Sequence, residues 1–452
     1  MHNQRTVKFM LINPTSPLWR INGNQRPVNS SVFRFSMLPS LYVAASMPSF
    51  VETQIVDEDV EPVNFNNDAD LIGISFMTFN APRAYEIADR FRAKGKTVIF
   101  GGYHPTFMPQ EAIAHADSIC MGEAENNVPL MLADFMTDNL KSFYRSDLVN
   151  LHELPNLNRK LLRNGSYITL NALQATRGCY NHCEFCSIAA FNRYQIRTRP
   201  VGKVLDELKE LGRDVLFMDD NITLNREYAK ALFKGMVPLK KQWFSQCGIG
   251  IAEDDELLEL AARSGCRGLF IGFESLSQKS LTIWNKQCNR KKNYLELSQK
   301  LHSAGIGIFA GFVFGSDEDG PEVFQNTLDF LLEANIETLQ STRLTPFPGT
   351  PLFEKMNKEG RITDKDWSHY DFFHVVYQPQ QMNAETLHSG TAWLQQQFYS
   401  YNNITTRIFR AGKYLRPNIV FRVMLPLNLG YRHKLSAYGS FQLANSFHPE
   451  IY

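Results

Sequence analysis

Short apolar segments alternate with amphipathic segments along most of this chain, and that alternation limits the folds open to it. In the first 140 residues, apolar runs that read as strands are separated by helix-like stretches. The strand candidates are VKFMLIN (7–13), TQIVDED (53–59), DLIGISF (70–76), TVIFGG (97–102) and DSICMGEAE (117–125). Because helices cover both faces of a parallel sheet, this pattern predicts a doubly wound, Rossmann-like α/β domain at residues 1–140.

The alternation resumes after a polar stretch, residues 141–166, which we interpret as a linker. The later strand candidates are ITLNALQAT (168–176), VLFMDDN (215–221), WFSQCGIGI (243–251), GLFIGFES (268–275), IGIFAGFVFG (306–315) and TLQSTRLTPFPGTPLF (338–353). Repeated strand–helix units of this kind predict a partial (β/α)6 barrel, similar to a TIM barrel, at residues 167–375. The active site of such a domain lies at the carboxyl ends of its strands.

The overall charge and the cysteine content narrow the class of protein. A formal net charge of +1 gives no general attraction to nucleic acid, so we expect no nucleic-acid partner. The seven cysteines are odd in number and the chain has 452 residues, so a disulfide framework is not expected. The sequence shows neither an apolar run of about 18 residues nor a signal peptide. We therefore expect a cytoplasmic protein.

The last segment, residues 376–452, differs in composition from the rest, and we expect it to be a small extension rich in α-helix. No Asp or Glu occurs between Thr386 and Pro449, whereas seven Lys and Arg residues interleave with apolar ones. This pattern is typical of a surface in peripheral contact with anionic lipid headgroups. A site for a phosphate-bearing substrate or a leader peptide, and a solvated basic cap, are the alternatives.

Three cysteines lie within eight positions of one another, in the stretch GCYNHCEFC: Cys179, Cys183 and Cys186. Three thiolates on one loop can hold three corners of a 4Fe-4S cluster and leave the fourth iron open to a small molecule. Zinc also binds thiolates, but structural zinc prefers four closed ligands, and no second cysteine pair follows here. Although His182 is available as a fourth ligand, the spacing favours the cluster.

A CxxxCxxC motif after the first barrel strand, with the aromatic Phe185 before its third cysteine, resembles the radical S-adenosylmethionine (SAM) superfamily over about residues 168–353. The resemblance implies that SAM binds the open iron. It also implies that an electron, from a donor such as flavodoxin or ferredoxin, cleaves SAM to a 5′-deoxyadenosyl radical that abstracts hydrogen from an unactivated carbon. The implied cofactor contacts are Phe185, Asp219, Asp220, Asn221 and Glu274.

The first domain, with GGYHPT (101–106) and GEAE (122–125), resembles the cobalamin-binding domain of the cobalamin-dependent branch of that superfamily. The resemblance implies contacts between cobalamin and Gly101, Gly102, His104 and Glu123. The DxHxxG motif of base-off cobalamin proteins is absent. A domain that no longer binds cobalamin, or that only shapes the substrate site, is therefore the alternative.

For the reaction, the resemblance implies cobalamin-dependent methylation of a carbon in a lipid-like, tetrapyrrole, peptide or other small-molecule natural-product substrate. The same architecture also serves ring formation, rearrangement and epimerisation. Under that alternative, Cys247 and Cys266 are candidate hydrogen donors, although free cysteines are commonly buried as small apolar residues. A cobalamin or redox sensor without turnover is a third alternative.

Overall fold

Two parallel sheets follow one another along the chain and a helical segment completes it, which confirms the predicted fold class. The computed structural model describes residues 6–16, 34–289, 292–437 and 439–451. The first sheet has six parallel strands in the order β2-β1-β3-β4-β5-β6. They are β1 (Val7–Asn13), β2 (Val51–Asp57), β3 (Leu71–Ser75), β4 (Thr97–Gly101), β5 (Ser118–Met121) and β6 (Phe143–Arg145).

Alternating side chains of this first sheet enter two different cores, as the two-residue repeat of a strand requires. Along β1, Phe9 and Leu11 join one core, whereas Met10 and Ile12 join the other. The helices of this region are α1 (Leu38–Ala45), α2 (Ala81–Arg92), α3 (Tyr103–Phe107), α4 (Pro109–Ala112) and α5 (Asn127–Met136). Strand β6 lies in the stretch interpreted as a linker, so the first sheet extends beyond residue 140.

The second sheet also has six parallel strands, in the order β14-β13-β12-β11-β10-β7. They are β7 (Ala172–Leu173), β10 (Asp214–Phe217), β11 (Gln242–Cys247), β12 (Cys266–Glu274), β13 (Gly307–Phe314) and β14 (Thr338–Arg343). Strands β8 (Thr176–Arg177) and β9 (Arg197–Thr198) form a separate antiparallel pair. Because β7 and β14 are the two edges of one sheet, this is a partial barrel.

Helices follow the barrel strands because their apolar residues recur at helical spacing and their first turns are capped. In the helix after β10, Leu232, Phe233 and Met236 are buried, and the Asn225 side chain accepts a hydrogen bond from the Tyr228 N–H at 3.1 Å. The helices of the barrel region are α6 (Ser187–Phe191), α7 (Val201–Glu210), α8 (Arg226–Met236), α9 (Asp255–Ser264), α10 (Gln278–Ile283), α11 (Tyr294–Ser303), α12 (Val323–Glu333) and α13 (Pro351–Lys358).

The C-terminal extension is helical, as predicted. It covers the edge strand β14 and the end of the barrel where the strands begin. Its helices are α14 (Ala384–Phe398), α15 (Tyr401–Ala411), α16 (Pro417–Ile419), α17 (Leu425–Ala437) and α18 (Ser440–Ala444). Gln395 of α14 donates to the Ser341 side chain on edge strand β14 at 2.9 Å. Not every cation of the extension faces solvent, because Arg407 is 1 % exposed and donates to the Glu337 carbonyl at 2.7 Å.

None of the helices that the structure describes has both the length and the apolar character needed to cross a membrane.

Candidate active site

The three clustered cysteines lie on the loop between β8 and α6, at the carboxyl end of the barrel sheet. Cys183 is buried, whereas Cys179 and Cys186 are partly exposed, and all three are free thiols. The Cys186 N–H donates to the Cys183 carbonyl at 3.1 Å, and the Asn181 N–H donates to the Cys179 sulfur at 3.4 Å. This hydrogen bonding folds the loop, and Cys186 lies near enough to both other cysteines to influence their pKa values.

Burial keeps these thiols protonated in the protein alone. Burial raises the pKa of Cys179 to about 11 and that of Cys183 to about 12, and the neighbouring Cys186 adds to both shifts. Among the described residues, no three His, Cys, Asp or Glu side chains are arranged to hold a single metal ion. Because thiolates are the form that ligates iron, assembly of a cluster here requires the thiols to release their protons.

A segment that the sequence analysis did not single out, residues 284–289, packs onto the cysteine loop. The Trp284 carbonyl accepts from the Glu184 N–H at 3.0 Å, and the Asn285 side chain donates to the His182 carbonyl at 3.0 Å. The Trp284 ring also meets Phe185 edge-on, with 5.5 Å between centroids. The predicted cofactor contact Phe185 is therefore already packed against another ring, which fixes its orientation beside the cysteines.

Lys286 in that segment places a cation beside the thiols. Its Nζ lies 2.7 Å from Oε1 of Glu274, and both side chains are largely buried. Burial alone would lower the pKa of Lys286, but Glu274 and the nearby Cys183 and Cys288 raise it overall. The ammonium therefore stays charged and offsets the negative charge that three thiolates would bring.

Glu274 ends β12 in a backbone conformation that is unusual for a residue with a side chain. Its φ is +66°, in the left-handed region that favours glycine. Strained residues of this kind persist where surrounding contacts hold them, and they concentrate at functional sites. Here the strain turns the carboxylate towards Lys286 and the cysteine loop, where the sequence analysis predicted a contact with SAM.

The three polar residues after β10 have different surroundings. Asp219 is buried, accepts from the Ala175 N–H at 3.1 Å and from the Thr176 hydroxyl at 2.7 Å, and ties β10 to β8. Burial raises the pKa of Asp219 to about 7. Asn221 accepts from the Thr223 hydroxyl at 3.1 Å and so shapes a turn.

Asp220 is the member of this group that faces the cysteines. Its Oδ2 accepts from the N–H of Gly178, the residue before Cys179, at 2.8 Å. Burial raises the pKa of Asp220, and the Gly178 N–H and Arg177 partly oppose this shift. Of the three predicted SAM contacts after β10, Asp220 is thus the one placed to meet a cation at the cluster.

The two glycines at the end of β4, Gly101 and Gly102, allow the chain to turn sharply against β3. Gly102 has φ +99°, and a Cβ placed there would lie 2.6 Å from the Phe76 carbonyl oxygen. The Phe76 N–H in turn donates to the Gly101 carbonyl at 3.1 Å. This close approach of two backbone segments explains the glycine at 102 by packing within the first sheet.

His104, a predicted contact with cobalamin, is enclosed by the protein itself. The residue is 0 % exposed, and its Nε2 lies 3.0 Å from the Tyr85 hydroxyl and 3.5 Å from Oε1 of Glu111. The Trp367 indole packs edge-on against the imidazole at 5.2 Å. In this arrangement His104 links the first sheet to the segment after the barrel, and its ring does not face an open edge.

Glu123 lies where the first sheet meets the cysteine loop. Its carboxylate accepts from Arg177 at 2.6 Å, from Arg197 at 2.6 Å and from the Val149 N–H at 2.7 Å. The two arginines hold the pKa of Glu123 below its usual range, although burial opposes them. The carboxylate is therefore saturated by protein groups, and its predicted contact with cobalamin stays a prediction.

Other polar atoms at the carboxyl edge of the first sheet lack partners in the described part of the chain. They are Nδ2 of Asn13, Oγ of Ser16, Oγ of Ser36 and the hydroxyl of Tyr42, all buried. The Arg177 guanidinium lies 5.3 Å from the centre of the Tyr42 ring, so this edge borders the cysteine loop. Unpaired buried polar groups are costly, and a large ligand with amide and hydroxyl groups would satisfy them.

The two cysteines predicted as hydrogen donors are both buried but lie at different ends of their strands. Cys247 ends β11 at the level of the mouth, whereas Cys266 begins β12 opposite Trp243, far from the cysteine loop. Burial raises the pKa of Cys247 to about 12. Both side chains belong to the hydrophobic core of the barrel, and their role as hydrogen donors stays a prediction.

Aromatic side chains of α3 and α6 meet between the first sheet and the cysteine loop. Tyr103 of α3 stacks on Phe191 of α6 with 4.4 Å between centroids, and Phe107 lies 6.3 Å from the same ring. Phe107 also occupies the space that a Cβ at Gly349 would need. No sequence pattern singles out these residues, because their contacts join segments that are distant along the chain.

Two family models match the chain, and they match its two sheets in order. The B12 binding domain matches residues 34–132, and the radical SAM superfamily matches residues 173–331. The predicted cofactors, a 4Fe-4S cluster, SAM and cobalamin, are thereby confirmed.

Known proteins resemble the chain over most of its length. It is 34 % identical over 389 residues to a bacteriochlorophyllide d C-12(1)-methyltransferase of Chlorobaculum tepidum, a match that covers 82 % of this chain and 85 % of that protein. It is 29 % identical over 379 residues to the bacteriochlorophyllide d C-8(2)-methyltransferase of the same organism, covering 78 % and 82 %.

A solved structure shares the fold. The radical SAM methyltransferase TsrM from Kitasatospora setae, with cobalamin and a 4Fe-4S cluster bound, has a TM-score of 0.61 at 16 % identity and covers 97 % of this chain and 99 % of that one. The chain therefore belongs to the radical SAM superfamily of enzymes, in the branch whose barrel follows a B12-binding domain.

Proposed function

We propose that this enzyme is a cobalamin-dependent C-methyltransferase whose substrate is a tetrapyrrole of the chlorin type. The observation that carries the proposal is the 34 % identity, over 82 % of the chain, to a protein named as a bacteriochlorophyllide d methyltransferase. The second such relative, at 29 % identity, supports the same substrate class. The aromatic side chains Tyr103, Phe107 and Phe191, which lie between the two sheets, would suit a flat conjugated ring.

At the cluster, Cys179, Cys183 and Cys186 would each supply one thiolate. Bound there with SAM, the cluster supplies the electron that makes the 5′-deoxyadenosyl radical. Lys286 would stabilise the thiolates through its positive charge, and the Glu274 carboxylate would hold Lys286 in place.

For SAM itself, Asp220 is the carboxylate best placed to accept a hydrogen bond from the amino group. It lies beside the cysteine loop. When ionised, its carboxylate only accepts hydrogen bonds, as a partner of an ammonium group must. Phe185, held by Trp284, would provide an apolar wall next to the adenine. Asp219 and Asn221 would act indirectly, by fixing the end of β10.

For cobalamin, the carboxyl edge of the first sheet would provide the contacts, through the unpaired polar atoms of Asn13, Ser16 and Tyr42. Gly101 and Gly102 would shape the adjoining loop. Because His104 is enclosed by Tyr85 and Trp367, we propose that it supports this loop and does not ligate cobalt.

The test is a reaction of the anaerobically purified and reconstituted enzyme with bacteriochlorophyllide d, SAM, cobalamin and a chemical reductant. We expect three products in proportion: a substrate heavier by one CH₂ unit, S-adenosylhomocysteine and 5′-deoxyadenosine. Cys183→Ala is the matched control, and it should form none of them because a buried cluster ligand is missing.

The outcomes separate the parts of the proposal. If 5′-deoxyadenosine forms without S-adenosylhomocysteine, methyl transfer is refuted, and a ring-forming or rearranging reaction replaces it. If both form only with a substrate that is not a tetrapyrrole, the substrate class is refuted. If SAM is not cleaved under any of these conditions, the proposed role of the cysteine loop fails.

A further inference from the structure

The turn between α15 and the helices that follow carries an unusual surface. We call residues 409–422, FRAGKYLRPNIVFR, the hairpin tip. The two arms run antiparallel, since the Arg432 guanidinium lies 4.0 Å from the Tyr401 ring at the open end. Ala411, Ile419 and Val420 form the apolar core between the arms at the closed end.

Two large aromatic side chains point away from that core. Phe409 is 75 % exposed and Phe421 is 62 % exposed, and they stand on opposite arms of the hairpin tip. Burying a phenylalanine side chain is worth about 1.5–3 kcal/mol, so two such side chains left in water are a feature to be explained. Their exposure is not a requirement of the turn, because the hairpin's own core is already filled.

The same segment carries four cations besides the two phenylalanines. They are Arg410, Lys413, Arg416 and Arg422, and all are exposed. Within the described residues, none of the four forms a salt bridge, and no acidic residue occurs between Thr386 and Pro449. Burial, and to a smaller extent the charges of Arg416 and Arg213, lowers the pKa of Arg267 at the start of β12.

The hairpin tip lies at the end of the barrel opposite the cysteine loop. The side-chain amides of Asn418 and Gln242, the first residue of β11, lie 3.3 Å apart, and the Asn335 side chain donates to the Tyr414 hydroxyl at 2.5 Å just before β14. The amino ends of the barrel strands therefore rest on this hairpin. A partner bound at the tip would leave the mouth of the barrel open.

We infer that the hairpin tip is a docking surface for membranes with anionic lipid headgroups. Exposed aromatic side chains on a segment whose cations form no salt bridge are what such a surface requires, because the rings enter the interface while the cations meet phosphate groups. Charge complementarity selects this partner, since the tip offers only positive charge. The inference is independent of the substrate and of the reaction.

The experiment is flotation of the holoenzyme with vesicles of phosphatidylcholine alone and of phosphatidylcholine with an equal part of phosphatidylglycerol. We expect binding to the anionic vesicles, and weakening of that binding in high salt because charges are screened. F409S/F421S should lower the partition coefficient at least tenfold. R410Q/K413Q/R416Q/R422Q should lower it by roughly a thousandfold, at about 1 kcal/mol for each cation.

Matched variants control for hydrophobicity and net charge elsewhere. Leu130→Ser removes a side chain that is 57 % exposed on the first domain. Lys8→Gln, Arg90→Gln, Lys141→Gln and Lys279→Gln together remove four exposed cations from other surfaces. Neither control should change vesicle binding by more than about twofold, and all variants should keep the wild-type melting temperature and the wild-type rate of SAM cleavage.

Three results would overturn the inference. The first is no binding to anionic vesicles, and the second is equal binding to both kinds of vesicle. The third is binding that the charge control abolishes as fully as the tip variants do. If a short DNA duplex competes for the tip at equal affinity, the partner is a nucleic acid and the lipid assignment is likewise overturned.

Discussion

The carboxylate of Glu123 lies 2.6 Å from the guanidinium of Arg177, two residues before Cys179, and so connects the first sheet to the cysteine loop. Arg177 on β8 stands directly opposite Arg197 on β9, and Glu123 bridges the two. Like charges opposite each other destabilise a strand pair unless an anion lies between them. The B12-binding domain therefore supplies the anion that holds the base of the cysteine loop together.

Replacing Glu123 by Gln should act mainly by destabilising the cysteine loop, and not by removing a contact with cobalamin. The change removes the carboxylate that pairs with the largely buried Arg197 and leaves Arg177 with Glu125 alone, at a cost of about 3 kcal/mol of unfolding free energy. We expect a lower melting temperature and fewer irons per chain after reconstitution. Asp147→Asn, which removes a surface pair with Arg193, is the control and should change neither. Normal iron content with impaired cobalamin binding would instead make Glu123 a cofactor contact.

The substitution Gly102→Ala tests whether the close approach of two backbone segments requires a glycine at position 102. The substitution meets both a φ of +99° and the Phe76 carbonyl at 2.6 Å, so we expect a loss of about 3 kcal/mol or more in urea unfolding. Gly95→Ala is a matched control, because φ there is +74° and nothing lies within 4 Å of the added Cβ. It should cost only about 1 kcal/mol. Equal losses in the two variants would contradict the role of close backbone approach.

The parts of the molecule that sequence reasoning reached are those encoded by local patterns. Short apolar runs predicted β1 to β5, and the cysteine spacing identified Cys179, Cys183 and Cys186. What it missed depends on contacts between distant segments, such as the 107 residues that separate Asn181 from Cys288. No periodicity announces that segment 284–289 covers the cysteine loop, or that Arg407 is buried within a basic tail. For His104, the GGYHPT stretch implied a contact with cobalamin, which stays a prediction, whereas its enclosure by Tyr85 and Trp367 depends on the fold.

The pair of Lys286 and Glu274 should behave as a unit in unfolding experiments on the metal-free protein. Lys286→Met leaves the Glu274 carboxylate largely buried and unpaired, which should cost on the order of 2 kcal/mol. The double variant K286M/E274Q should recover most of that loss, and a double-mutant cycle measures the coupling. Additive losses in the cycle would show that the two side chains do not stabilise each other.

Stability should fall in mild acid, partly through a histidine at the edge of the barrel. Burial, together with the nearby Arg343 guanidinium, lowers the pKa of His388 to about 4, against about 6.5 for an unfolded chain. Between these values the unfolded state binds more protons than the folded state, so stability is complete above about pH 6.5 and declines as the pH falls towards 4.

His388→Gln removes this proton linkage and isolates its contribution from those of other groups. Between pH 7 and pH 4.5, the unfolding free energy of the wild type should fall by roughly 1–2 kcal/mol more than that of the variant. The expected value is smaller than the full pKa shift would give, because the side chain is partly exposed to solvent. His433→Gln, at an exposed position of α17, is the control and should follow the wild-type curve. Melting curves at half-unit pH steps measure both. A wild-type and a His388→Gln curve that stay parallel throughout would show that His388 titrates alike in both states.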